Sequence, residues 1–72
     1  MTREEMFDRF DELVDELREL GYAVGMPMGG GEIDYIEDAD GNILEQFDDR
    51  IPEEHKPIFQ ELEEIVEAIS VS

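Results

Sequence analysis

The chain contains no cysteine, which excludes disulfides, thiolate nucleophiles and zinc ribbons. Cations are scarce as well. Arg3, Arg9, Arg18, Arg50 and Lys56 stand against 22 Asp and Glu, a formal charge of -17. That shortage speaks against direct nucleic-acid binding, because a phosphate backbone needs Lys and Arg opposite it. It speaks against an anionic membrane surface for the same reason. Long hydrophobic runs are missing too. Residues 1–5 lack the apolar stretch of a signal peptide, and the least charged segment, Leu20 to Gly31, is too short and too rich in Gly and Pro to span a bilayer. The expectation is a soluble chain compatible with a reducing cytoplasm.

What is present argues for a fold rather than disorder. Leu, Ile, Val and Phe make up 20 of the 72 residues, above the level at which disorder is expected, and this length suits one small domain, residues 1–72. Thr2 and Glu5 have the spacing of a capping box. Met6, Phe7, Phe10, Leu13, Val14, Leu17 and Leu20 then mark one face of a helix from Arg3 to Leu20, with Gly21 placed for a left-handed cap. Tyr22 to Met28 alternates large and small side chains and reads as a strand, with Pro27 fitting an edge or a strand end. Gly29 to Gly31 reads as a connector.

Glu32–Glu37 and Asn42–Phe47 read as two antiparallel strands joined by a hairpin in which Gly41 takes positive φ. Ile33, Tyr35, Ile43 and Phe47 share one face, taken as the core face. Asp34, Ile36, Leu44 and Gln46 share the other. Core packing is expected for Tyr22, Met26 and Met28. After a polar connector, Pro57 to Ile69 repeats the apolar helical spacing, with a separate turn at Pro52–His55. The expected fold is α+β in the order α-β-β-β-α, a three-stranded antiparallel sheet with two helices on one face.

The charge is placed unevenly. Glu4, Glu5, Asp8, Asp11, Glu12, Asp15, Glu16 and Glu19 fall opposite the apolar stripe of the first helix. These eight carboxylates cover ~22 Å of helix, about one per 3 Å, close to the one phosphate per ~3.4 Å of a DNA strand. Several are like-charge i,i+4 pairs, each unfavourable by roughly 0.2–0.5 kcal/mol; Glu5 and Arg9 make the favourable pair at that spacing. Crowding of this kind predicts raised carboxylate pKa values and a stability that increases as pH falls from 7 into the mildly acidic range.

Tests for chemistry come back weak. Asp38-Ala39-Asp40-Gly41-Asn42 opens like a calcium loop, but Ile43 and Asp49 occupy the sixth and twelfth positions, where Gly and Glu are needed. The glycine run has no following Lys-Ser/Thr, and His55, the one histidine, is expected at the surface near the start of the second helix. No carboxylate pair set apart in an apolar pocket is readable, and a chain of this length leaves little room for a substrate cavity. The expectation is a non-enzyme without metal or cofactor.

In size, lack of cysteine, acidity, α-β-β-β-α order and the Glu37-Asp38-Ala39-Asp40-Gly41-Asn42 hairpin, the chain resembles the small acidic phage proteins that mimic DNA, among them the anti-CRISPR inhibitors. The resemblance covers the whole chain as a pattern. It implies a carboxylate surface that occupies the Lys/Arg cleft with which a CRISPR effector holds target DNA, and a location in the cytoplasm of a bacterial host. The expected partner is a basic nucleic-acid-binding protein, with the chain itself a monomer or weak dimer. The expected contacts are Asp8, Glu12, Asp15 and Glu19, then Asp34, Glu37, Asp38 and Asp40, with Ile36 and Leu44 as exposed apolar anchors beside them. The alternative is a halophile-type structural or interaction domain whose acids serve solubility in salt. A designed scaffold is disfavoured by Met26-Pro27-Met28 and the triple glycine.

Overall fold

A computed structural model of the chain describes residues 2–28, 32–44 and 49–71. The order is α1 (Arg3–Glu19), β1 (Ala23–Gly25), β2 (Tyr35–Glu37), β3 (Ile43–Leu44) and α2 (Lys56–Val71). The three strands form one antiparallel sheet in the order β1-β2-β3. The fold is therefore α+β, as the periodicity predicts. The strands are shorter than expected, and Glu45 to Phe47, the remainder of the expected third strand, lie outside the described residues, as does the glycine connector.

Local chemistry sets both ends of α1. Glu5 N donates to Thr2 Oγ1 at 3.2 Å and Thr2 N donates to Glu5 Oε1 at 3.0 Å, the reciprocal pair of a capping box. At the other end Gly21 has φ 103°. Its N–H donates to the Arg18 carbonyl, and Tyr22 N donates to the Leu17 carbonyl. This 6→1, 5→2 pattern is a Schellman motif, and glycine supplies the left-handed residue it needs. The turn at Pro52 leads into α2 through donation from His55 N to the Pro52 carbonyl.

The core joins Phe10, Leu13, Val14 and Leu17 of α1 with Phe59, Leu62, Ile65 and Ile69 of α2, together with Tyr22, Val24, Leu44 and Ile51. Ile33 and Ile36 pack against it from the sheet side. Both helices thus lie on the sheet face that carries Val24, Ile36 and Leu44, with Ile36 the register partner of the other two.

This reverses the expected core face at Tyr35 and Ile43, while Ile33 packs inward as expected and Phe47 lies outside the described residues. Tyr35 and Ile43 are 46% and 53% exposed, whereas Leu44 is buried and Ile36 half-buried. The cause lies in β1, where Val24 stands between Ala23 and Gly25. Facing those two small residues inward would leave a void against α1, and close-packed interiors do not keep voids. On the outer face the space above Gly25 is taken by the Tyr35 ring, with which a Cβ at Gly25 would collide. Met26 and Met28 are also exposed, so core packing holds for Tyr22 and fails for both methionines.

Candidate functional site

The α1 surface carries its acids as the spacing predicts. Asp8, Asp11, Glu12, Asp15, Glu16 and Glu19 are all exposed. Asp8, Asp11, Asp15, Glu16 and Glu19 have no ion-pair partner among the described residues. Apart from the contact of Arg9 with Glu12, the cation contacts lie off this row. Arg9 grips Glu61 of α2 with Nε–Oε2 at 2.6 Å and Nη2–Oε1 at 2.7 Å, a two-pronged contact that ties the helices together. Its Nη1 reaches Glu12 at 2.9 Å. Arg3 lies 5.4 Å from the centre of the Phe7 ring, and Arg18 Nη2 sits 3.5 Å from the Val24 carbonyl. Arg50 Nη2 donates to the Ile43 carbonyl at 3.0 Å, and Lys56 pairs with Glu53 at 3.0 Å.

Two details depart from expectation. The Glu5–Arg9 pair does not form: Glu5 is held by the cap, and Arg9 turns to α2. Of the four α1 contacts expected to meet a partner, Glu12 shares Arg9, while Asp8, Asp15 and Glu19 carry uncompensated charge.

The second set is brought together only in part. Asp34 is exposed just before β2, with its backbone N–H donating to the Gly25 carbonyl at 2.8 Å. Glu37 is half-buried at the end of β2, opposite Ala23 and Ile43 on the outer sheet face. Asp40 is exposed in the hairpin. Asp38 works internally: its Oδ1 accepts from Asp40 N and Asn42 N at 2.9 Å, and its Oδ2 accepts from Asn42 Nδ2 at 3.2 Å. Those bonds close the turn at Gly41, whose φ is 85°. The hairpin is a side-chain-braced turn, and the described residues hold no group of three or more His, Cys, Asp or Glu arranged to take a metal ion.

Ile36 and Leu44 are not exposed as expected: they turn toward the helices, Leu44 buried and Ile36 half-buried. The exposed apolar groups of the outer sheet face are Tyr35 and Ile43, with Met26 and Met28 exposed in the segment after β1. The spacing of β1 could have pointed to them, since Val24 is its one bulky residue and marks the core side. Glu37 shares the outer sheet face with Tyr35 and Ile43, whereas Asp34 borders the space between the sheet and α2.

His55 is half-buried rather than a free surface group. The Tyr22 hydroxyl and His55 Nδ1 are 2.7 Å apart, and the Tyr22 ring meets His55 and Phe59 edge-on at 5.6 and 5.3 Å. Burial pushes the Tyr22 hydroxyl pKa up, with Asp38 and Glu54 adding to the rise. Among the described residues three carboxylates go down. Glu5 is lowered by the Thr2 backbone N–H, Asp38 by the Asn42 N–H, and Glu61 by the Arg9 guanidinium, which is itself raised by that contact. Glu5, the member of the acidic α1 set among them, goes down because the cap holds it, against the sign that crowding predicts. A lowered group contributes stability above its ordinary range, near pH 4, and loses it as pH falls through its folded value.

No helix among the described residues is long and apolar enough to cross a membrane. No family model, no curated protein and no solved structure matches the chain.

Proposed function

We propose that the protein is a non-enzymatic inhibitor that mimics DNA, its α1 carboxylates occupying the Lys/Arg cleft that a nucleic-acid-binding protein uses for phosphates. In line with the resemblance of the sequence, the partner is the DNA-holding cleft of a CRISPR–Cas effector in a bacterial cytoplasm. One observation carries the reading. Asp8, Asp11, Asp15, Glu16 and Glu19 form an exposed row without ion-pair partners among the described residues, while the contacts of the cations include Glu61, Glu53, backbone carbonyls, an aromatic ring and, within the α1 stripe, Glu12.

Chemically, such a row offers oxygen acceptors at roughly phosphate spacing, and arginine in a cleft can take a carboxylate with two parallel bonds. Long-range attraction speeds encounter, and inhibition is competitive with DNA. Tyr35 and Ile43 of the outer sheet face are exposed apolar groups that can add contacts beyond charge.

The test is displacement of labelled target DNA from a panel of guide-loaded CRISPR effectors, read by fluorescence anisotropy at physiological salt. The expected result is DNA release from at least one effector, weakening as salt rises. The combined change Asp8→Asn, Glu12→Gln, Asp15→Asn and Glu19→Gln abolishes release and leaves the fold intact. No release across the panel, or full release by the neutralised variant, overturns the proposal. A chain that folds only in molar salt gives the halophile-type reading instead.

A further inference from the structure

A groove of about 310 Å3 runs between α2 and the sheet. Ile36 and Leu44 wall it on one side, Leu62 and Val66 on the other, and its carboxylates are Asp34, exposed, and Glu63, half-buried. Neither carboxylate has a cationic partner among the described residues. This site is distinct from the α1 stripe, which faces away from the core.

We infer that the groove seats one apolar side chain of a basic polypeptide, with Asp34 and Glu63 holding an arginine or lysine that flanks it. The inference rests on the proposed basic partner and adds to it a specific pocket. Charge complementarity selects the occupant. A second copy of the chain would bring another net charge of -17 to the same place. An anionic amphiphile would meet two carboxylates. The volume lies at the lower end of the ~300–1,000 Å3 usual for small-molecule pockets, and suits an anchoring side chain from a protein surface. The α1 row then supplies attraction that any cationic surface feels, and the groove supplies discrimination among cationic surfaces.

The experiment compares two labelled pentapeptides, each with four arginines, one with a central leucine and one with a central glycine, by anisotropy at low salt. The leucine peptide is expected to bind about tenfold tighter. Val66→Phe, which fills the groove from α2, is expected to bring the two affinities together without changing that of the glycine peptide, with far-UV circular dichroism reporting the fold. In the unaltered chain, the leucine peptide is expected to shift the methyl resonances of Ile36, Leu44 and Val66 beyond the glycine peptide's effect, so the outcome does not depend on the variant folding. Equal affinities, or methyl shifts confined to other positions, overturn the groove and leave the basic-partner reading standing. Binding of neither peptide overturns both. A dimer that Val66→Phe dissolves assigns the groove to a second copy and overturns the inference.

Discussion

Replacing Asp15 with asparagine should stabilise the protein while weakening its hold on a basic partner. Asp15 is exposed on α1, one turn after Asp11 and one turn before Glu19, and has no ion-pair partner among the described residues. Like charges at i,i+4 on a helix destabilise by roughly 0.2–0.5 kcal/mol each, so removing both contacts is worth about 0.4–1 kcal/mol. Asn and Asp lie close in helix propensity, which leaves charge as the main variable. The position approaches the C-terminal end of α1, where loss of a negative charge also relieves the helix dipole by a few tenths of a kcal/mol. For a domain of this size the gain corresponds to a Tm rise of about 2–8 °C. The assay is thermal unfolding by circular dichroism at low salt and in 1 M NaCl, where the Debye length shrinks to ~3 Å and the difference should largely vanish. A Tm that stays level or drops at low salt, or a rise that survives 1 M NaCl, would refute electrostatic strain along α1. In the DNA-displacement assay the same variant should associate more slowly, which links the tolerated strain to the work of the row.

Three further outcomes follow from the geometry. Thr2→Ala removes the reciprocal cap with Glu5 and should lower stability by about 1 kcal/mol, read from the urea midpoint; an unchanged midpoint would mean the first turn of α1 does not contribute. Tyr22→Phe deletes the hydroxyl that meets His55 Nδ1 and should cost about 0.5–1.5 kcal/mol, with a moved His55 ring resonance; retained stability and resonance would show that the contact carries nothing. Because Asp38 is held below its ordinary pKa by N–H donors, the stability it lends should fade as pH drops below about 4. Asp38→Asn should therefore flatten the acid limb of a urea-midpoint profile, and a limb identical to that of the parent chain would contradict that role.

The helices, the caps of α1 and the uneven placement of charge are legible in the amino-acid order, because each depends on neighbours within a turn or two. Thr2 and Glu5, the apolar positions from Met6 to Leu17, and Gly21 specify α1 by contacts that reach at most five residues. The acidic row follows at once, since fixing the apolar face fixes its opposite. Sheet orientation is another matter. A strand with large residues on both faces, such as Tyr35-Ile36-Glu37, has two equivalent readings under its period of two. Within that strand nothing breaks the tie; pairing with β1, whose one bulky residue is Val24, and packing against α1 and α2 turn Val24, Ile36 and Leu44 inward and leave Tyr35 and Ile43 in solvent. The same holds for Arg9, whose carboxylate partner Glu61 lies 52 residues away, and for Tyr22 with His55, 33 residues apart. Local spacing thus decided where the charge would lie, and tertiary contact between distant segments decided which apolar groups would stand beside it.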